Sequence, residues 1–448
     1  MAIDPHMVQD LLQQAHQRGA TAGDVLMVEN TSFEVEVRLG EVDKVQHAHR
    51  SRLGLRLFFG QRSATTSTSD FSALSLRQLL DDTCALAQAM AADAYAGLPE
   101  SQEMITSIPD LTLWDDALQR VPVEERTAMA REAEHAALSY DARIHNSEGG
   151  EYSSSQSHVL YANSHGFVGQ YRAGSVQLSV VPIASDASGM QRDYWFSAAR
   201  HLARLQAPTL IGQEAARRAL RRLGARKVAT QKVPVVFAPS TASSLLGHLC
   251  SAVSGSAIYR SASFLVDQLD ARIAPESFTV YDDGTLPAAL GSKPFDGEGI
   301  ATRRTTVVEA GVLRSYLLDT YTARKLGKRS TGNAARGAGD PPGVSPTNFS
   351  LQPGPYTPED IIASVPNGLY VTSLIGFGVN QVTGDYSRGA SGLWIENGEL
   401  TYPVEEITIA GNLRQMLANV EMIGNDLEMN RKVTAPTLKI RSMTIAGS

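Results

Sequence analysis

The sequence predicts an α+β fold with an N-terminal α/β domain, a mixed middle domain and a C-terminal, β-rich antiparallel domain. Helix-like and strand-like stretches alternate up to about residue 228, whereas strands separated by glycine turns dominate from residue 278 onward. The clearest turn is Asn397-Gly398, because this pair accepts the positive φ angles of a type I′ hairpin. With 448 residues, 43% of them hydrophobic, the chain is long enough for two or three domains.

The first predicted domain, an α/β unit, covers residues 7–92. Residues 1–6 look like an expression-vector remnant, which places the natural start at Met7. A helix over residues 8–18 precedes strand-like segments over residues 25–28, 33–37, 42–48, 53–59 and 64–69. Ser75 is the expected N-cap of a second helix. The buried face of that helix is expected to carry Leu76, Leu79, Leu80, Leu86 and Ala87.

The middle predicted domain covers residues 114–228 and follows a linker over residues 94–113 that is rich in Pro, Ser and Asp. Helices over residues 123–139 and 212–223 enclose a meander of strands between residues 154 and 184. The second helix ends in a basic cluster that we interpret as a solvated helix face rather than a DNA-binding patch. The cluster consists of Arg217, Arg218, Arg221, Arg222, Arg226 and Lys227.

The third predicted domain is β-rich and covers residues 232–448. Its first strand spans residues 233–237 and contains Pro234, which places it near a sheet edge or at a strand start. Ser240 is the expected cap of a helix that reaches about residue 253. Residues 327–346 form a long flexible loop in this prediction, and loops of that length tend to be functional or mobile.

Composition argues against several classes of protein. The net charge of −7 makes nucleic-acid binding unlikely, because such binding needs a basic surface. No apolar run approaches the roughly 20 residues that a membrane-spanning helix requires. The two cysteines, Cys84 and Cys250, form no C-x-x-C pair and indicate a reducing, cytoplasmic location.

The best candidate for a binding site is a glycine-flanked segment that places an aromatic ring next to a cation. Arg388 offers a planar fork of donors for a carboxylate or carbonyl group, and Tyr386 offers a flat amphipathic ring. Alternatively, Asp385 and Arg388 pair across a tight turn and only stabilise the loop. The candidate residues for binding substrate or a partner are Gly384, Asp385, Tyr386, Ser387, Arg388 and Gly389.

Three motifs in this region resemble the TldD/PmbA family, and within it the PmbA branch, also called TldE. They are GDYSRG at residues 384–389, WIENGE at 394–399 and PVEEITIAGNL at 403–413. The resemblance implies a subunit of a zinc metallopeptidase that acts on unfolded or small peptides, including peptide-antibiotic precursors and antitoxins. It also implies a TldD-like paralogue that carries the zinc, with a chamber enclosed between the two chains.

The family's catalytic branch carries H-E-x-x-x-H on a helix, where the histidines hold zinc and the glutamate serves as base. Gly255 and Ser263 match residues downstream of that helix. The alignment places Leu246, Gly247 and Ser251 at the His, Glu and His positions, and none of them can do this chemistry. Residues 424–440 also lack the cysteine ligand of the catalytic branch. We therefore expect no metal in this chain and zinc in its partner.

The sequence contains two other histidine arrangements that bear on metal binding or catalysis. His47 and His49 lie two apart on a predicted strand and could clamp a metal only with a third ligand. His248 and Cys250 are about 200° apart on a helix, so they are not expected to form a nucleophilic pair.

The sequence thus predicts a non-catalytic metallopeptidase subunit that pairs with a zinc-bearing paralogue and forms a homodimer when alone. Two alternatives stay open. The chain could be a metallopeptidase in its own right, or a non-enzymatic homodimer that binds peptides or acts on DNA gyrase. Peptide hydrolysis by the lone chain in excess chelator would contradict all three.

Overall fold

The computed structural model describes residues 4–447 and confirms the α+β class. Residues 1–3 of the expected vector remnant lie outside the described part, and Pro5 begins the first helix. The helices are α1 Pro5–Gln17, α2 Ala73–Ala89, α3 Ala117–Arg120, α4 Val123–Leu138, α5 Pro208–Leu220, α6 Pro239–Ala252, α7 Gly255–Tyr259, α8 Thr320–Lys325, α9 Pro358–Ala363 and α10 Leu413–Ala418.

The strands fall into an N-terminal and a C-terminal group. The N-terminal strands are β1 Ala22–Arg38, β2 Glu41–Phe59, β3 Arg62–Thr68, β4 Ile144–Asn163, β5 Val168–Asp186, β6 Gly189–Arg192 and β7 Trp195–Ala199. The C-terminal strands are β8 Gln231–Phe237, β9 Val280–Asp283, β10 Arg304–Glu309, β11 Val312–Leu313, β12 Ala334–Ala335, β13 Gly343–Val344, β14 Phe349–Leu351, β15 Asn367–Ile375, β16 Asp385–Glu396, β17 Glu399–Asn412, β18 Val420–Ile423, β19 Val433–Thr434 and β20 Leu438–Ala446.

One antiparallel sheet joins the first two predicted domain ranges. Its order is β3-β2-β1-β4-β5-β6, with β7 beside β5, so β1 pairs with β2 on one side and with β4 on the other. The segments predicted as separate strands merge into the long strands β1 and β2. They merge because Asn30 and Ser51, between the apolar runs, stay extended and pair with neighbouring strands instead of turning.

Helices cover two different parts of this sheet. The core beneath α1 and α2 includes Val25, Leu55 and Leu80, and the core beneath α4 and α5 includes Tyr152 and Ile211. Ser72, not the predicted Ser75, caps α2, because the Ser72 side chain accepts a hydrogen bond from the Ser75 N–H group. Leu86 lies beside the buried stripe of α2 and is exposed.

The C-terminal region contains a six-stranded sheet in the order β17-β16-β15-β8-β20-β18, in which β17 also pairs with β20. The closed ring that results contains five strands, β17, β16, β15, β8 and β20. The pairing of β8 with β15 is parallel, and the other pairings of this sheet are antiparallel. A second sheet has the order β11-β10-β9-β14-β19.

The prediction that β8 lies near a sheet edge is wrong, because β15 and β20 flank it. Pro234 is tolerated at an irregular point of the ladder. Pairing with β15 begins at Val235, just after the proline, and the register of β20 shifts between the partners of Val233 and Val235. The predicted cap Ser240 is also wrong, since Ala238 is the N-cap of α6 and Pro239 occupies its first turn.

Residues 327–346 are packed against the protein rather than free, contrary to the prediction of a flexible loop. The short strands β12 and β13 pair with each other inside this segment, and Asn333 and Ala334 are buried. The backbone of Ala338 lies so close to Gly54 in β2 that any side chain at Gly54 would overlap it. The loop therefore fastens the C-terminal region to the first sheet.

Buried charges reinforce this junction. Asp24 in β1 contacts Arg56 in β2 at 2.5 Å and Arg336 in the loop at 2.8 Å, and Glu298 lies 3.5 Å from Arg56. Burial raises the pKa of Glu298 to about 7, although Arg56 opposes the shift. Burial also disfavours ionised Asp24, but Arg336 and Arg56 together hold the pKa of Asp24 below its usual value.

Parts of the predicted linker over residues 94–113 and of the basic cluster are more buried than expected. Leu98, Met104, Leu111 and Leu113 of the linker are buried. Arg218 is buried against Trp195 and lies 3.5 Å from Asp193, so the cluster is not simply a solvated helix face.

Among residues 4–447, no helix has both the length and the apolar character needed to cross a membrane.

Candidate functional site

Helix α6 and strand β16 lie against each other and bring the two groups of candidate residues together. Arg388 Nη1 donates a hydrogen bond to Ser244 Oγ over 2.9 Å. The rings of His248 and Tyr386 meet edge to face, with their centroids 5.9 Å apart. Gln381 also donates from its side chain to the carbonyl group of His248 over 2.8 Å.

Most of the glycine-flanked segment over residues 384–389, which was expected to be a loop, is strand. Gly384 has a φ of +82°, but β16 begins at Asp385 and pairs with β17, with Tyr386 opposite Gly411 and Arg388 opposite Ile409. Cross-strand pairing and the burial of Tyr386 therefore outweigh the local flexibility of the glycines.

The alternation of strand side chains separates these residues into two sets. The side chains of Tyr386 and Arg388 point toward α6, whereas Asp385, Ser387 and Gly389 occupy the strand positions that face the opposite side of β16. Asp385 accepts hydrogen bonds from Thr383 and Asn412, and these bonds hold the pKa of Asp385 below its usual value. The alternative in which Asp385 pairs with Arg388 is therefore wrong.

The degenerate metal-motif positions do not form a site for zinc. Leu246 points into the core, Gly247 has no side chain, and the hydroxyl group of exposed Ser251 donates to the carbonyl group of Gly247. Helix α6 is also continuous through Ala252, so Leu246 and Ser251 lie on different faces and could not share an ion. The residues present do not fit the zinc that the family implies.

The side of α6 that faces away from the core instead presents half-buried Ser244, Gly247 and His248 together with exposed Ser251. A Cβ atom at Gly247 would have no neighbour within 4 Å, so there is open space beside this face. Gly255 and Ser263, which match residues downstream of the family's metal-binding helix, have structural roles. Gly255 packs closely against Thr322, and the Ser263 hydroxyl group donates to the Ala252 carbonyl group.

Other possible ligand sets are equally incomplete. Within the part of the chain that the structure describes, no three His, Cys, Asp or Glu side chains are arranged to hold a metal ion. His49 contacts Thr31 and Ser51 in the first sheet. Burial raises the pKa of the Cys250 thiol, which disfavours the thiolate that a nucleophile requires.

Burial and the positive charge of Arg388 lower the pKa of His248. Burial also raises the pKa of Tyr386 to about 12, although Arg388 opposes that shift. Both side chains are therefore neutral at pH 7, and Arg388 supplies the positive charge of the cluster. We refer to Ser244, His248, Tyr386 and Arg388 together as the α6–β16 cluster.

The sequence indicated Tyr386 and Arg388 but not their neighbours on α6. Ser244 and His248 precede Tyr386 and Arg388 by more than 130 residues, and only the pairing of β16 into the closed ring brings them together. A weak signal was present, because Ser244, Gly247, His248 and Ser251 follow one helical face that lacks large apolar residues.

Models of the three domains of PmbA/TldA metallopeptidases match the chain in order. The first-domain model matches residues 23–91, the central-domain model residues 116–223 and the C-terminal-domain model residues 230–447. Together they cover most of the sequence.

Relatives extend this match over nearly the whole chain. Metalloprotease PmbA of Escherichia coli O157:H7 is 37% identical over 95% of this chain and 92% of its own length. A PmbA homologue of Haemophilus influenzae is 35% identical over 98% of this chain and 94% of its own length.

Solved structures share the fold over the full length. A protein described as a modulator of DNA gyrase from Bacteroides thetaiotaomicron has a TM-score of 0.92 and 29% identity, and all of both chains is covered. TldE from Thermococcus kodakarensis has a TM-score of 0.87 over 98% of this chain and all of its own, and at 20% identity it supports the fold alone. The domain models, and the relatives that match nearly its full length, show that the chain is a member of the PmbA/TldD metallopeptidase family.

Proposed function

We propose that this chain is the non-catalytic subunit of a cytoplasmic zinc metallopeptidase whose zinc is held by a TldD-like paralogue. The observation that carries the proposal is the composition of the α6 face that points away from the core. At the place where the family's catalytic branch has its metal-binding helix, this chain presents Ser244, Gly247, His248 and Ser251. A single histidine and two hydroxyl groups are a poor zinc ligand set.

Exposed apolar residues next to the α6–β16 cluster support a partner subunit. The loop over residues 376–384 leaves Phe377 fully exposed, and Ile375 and Val382 are more than half exposed. Adjacent apolar side chains of this size on a surface are typical of protein-protein contacts. The paralogue is the partner that best fits this loop, because it would then lie beside the same face of α6.

The proposed substrates are unfolded and small peptides, including peptide-antibiotic precursors and antitoxins. In this proposal the chain forms part of the wall of an enclosed chamber and excludes folded proteins from the partner's zinc. The lone chain would form a homodimer, because two chains that share a fold can exchange one partner for the other.

The proposal is tested by expressing the paralogue alone, this chain alone and both together, and by measuring hydrolysis of an unstructured peptide. Activity that requires both chains supports the proposal. Equal activity of the paralogue with and without this chain would exclude a subunit role.

A second candidate function is favoured by the names of the relatives, which are themselves called metalloproteases. In that case the chain would be a peptidase on its own. Chelator-sensitive hydrolysis by the isolated, zinc-loaded chain, lost on deletion of an identified ligand, would establish this alternative.

A further inference from the structure

Three polar atoms of the α6–β16 cluster are buried without a hydrogen-bond partner. They are the hydroxyl oxygen of Tyr386, Nε2 of His248 and Nε of Arg388. The Tyr386 residue is only 2% exposed. Buried polar groups in folded proteins are nearly always paired, since an unpaired one destabilises the fold. Three unpaired groups at one place indicate that something outside the chain pairs with them.

The three groups share one chemical character, because each can donate a hydrogen bond. Among residues 4–447, Arg388 is the charged group that influences the pKa of both His248 and Tyr386. In the described part of the chain, Arg388 bonds to the neutral hydroxyl group of Ser244 and forms no salt bridge. The cluster is therefore a set of donors around one uncompensated positive charge.

Such a set matches a carboxylate. A guanidinium group binds carboxylates through parallel N–H bonds, and hydrogen bonds to charged groups are stronger than those between neutral groups. Ser244 holds one end of the Arg388 fork, so its remaining donors have a defined direction. The open space beside Gly247 leaves room for a chain that leads away from the carboxylate.

We propose that His248, Tyr386 and Arg388 form a binding site for a peptide carboxylate, with Ser244 as the residue that positions Arg388. The choice of a peptide rests on the proposed function. The carboxylate belongs to the C-terminus of the peptide or to an acidic side chain within it. The site would hold one end of a substrate on this subunit while the peptide extends toward the partner.

The test measures binding of short peptides to the isolated full-length chain by isothermal titration calorimetry. The probes are acetylated pentaalanine with a free C-terminus, the same peptide as an amide, an amide with a central glutamate, and acetate alone. We expect the free acid to bind at least about tenfold more tightly than the alanine amide. Tight binding of the glutamate peptide would assign the site to side-chain carboxylates.

Three variants connect binding to the cluster. Arg388→Ala and Tyr386→Phe are each expected to weaken binding of the free acid about tenfold, whereas Glu396→Ala, at the exposed far end of β16, should leave it unchanged. Tyr386→Phe also separates binding from folding. It removes a buried hydroxyl group whose neighbour in the cluster is the Arg388 guanidinium group, so thermal stability should change little while affinity falls.

Equal affinity for the free acid, the alanine amide and the glutamate amide would overturn the inference, and so would unchanged affinity in Arg388→Ala and Tyr386→Phe for the carboxylate peptide that binds the unmodified chain. Acetate that binds as tightly as the free acid would also overturn it, because the site would then hold an anion without regard to peptide. The measurement needs neither zinc nor the paralogue. A failure of the subunit proposal therefore leaves the binding result interpretable, and the reverse also holds.

Discussion

Asp24 stabilises the junction between the first sheet and the C-terminal region. Its carboxylate lies between Arg56 and Arg336, and all three side chains are nearly inaccessible to solvent. The Asp24→Asn variant would leave buried Arg336 without its counter-charge and Arg56 with only Glu298, which lies 3.5 Å away. We expect it to lower the free energy of unfolding by about 3–5 kcal/mol, measured by urea denaturation. Asp43→Asn, at an exposed position of β2, is the control and should change little.

Glu298 gives a pH dependence whose sign follows from its pKa. That pKa is about 7 in the folded chain because of burial, compared with 4.5 for an unperturbed glutamate. Between these values the folded chain keeps a proton that the unfolded chain has lost. The contribution of Glu298 to stability therefore decreases as pH rises from about 4.5 to about 7.

Glu298→Gln removes this titration, so the variant should be more stable than the wild type at pH 8 by an amount on the order of 1–3 kcal/mol. The difference should shrink toward pH 5. Chemical denaturation of both proteins across this range is the measurement. Parallel stability profiles would show that Glu298 is ionised in the folded chain at every pH tested.

At the scale of single elements, the hairpin between β16 and β17 depends on Gly398. This residue has a φ of +82°, and an added Cβ atom would lie 2.8 Å from the carbonyl oxygen of Ala363. Gly40 has the same φ of +82° but no neighbour within 4 Å. Gly40→Ala therefore measures backbone strain alone, about 1 kcal/mol. Gly398→Ala should destabilise the chain by more, and equal losses would refute the predicted clash with α9.

The loop over residues 376–384 is the element that we expect to contact the partner subunit. Replacing Phe377 with serine removes a fully exposed ring, so the isolated chain should keep its stability. Association with the paralogue, measured by analytical ultracentrifugation, should weaken by about tenfold or more. Leu74→Ser, at an exposed position of α2, is a matched control. Unchanged association would place the subunit interface elsewhere.

At the scale of the whole molecule, local signals were predictable from the sequence and long-range pairings were not. The prediction of a hairpin at Asn397-Gly398 was confirmed, because both residues have the positive φ angles that its turn requires. The central position of β8 could not be read from Pro234, because it depends on strands more than 130 residues later. The packing of residues 327–346 depends on Asp24, at the opposite end of the chain.

The candidate site shows the same division. The glycine-flanked sequence predicted Tyr386 and Arg388 as candidate binding residues, but it did not predict that they lie on a strand. Their neighbours Ser244 and His248 come from a helix whose sequence, by itself, suggested only a degenerate metal motif. Closure of the C-terminal ring creates the cluster, and no local pattern encodes that closure.

Helix α6 of this chain lacks the side chains that would hold the zinc of its family. The decisive measurement is the zinc content of this chain and of the paralogue, each purified separately, loaded with zinc and dialysed. Mass spectrometry of the metal should find a stoichiometric amount in the paralogue and no more than the buffer background in this chain. Stoichiometric zinc in this chain, retained through dialysis, would show that the chain holds a metal of its own.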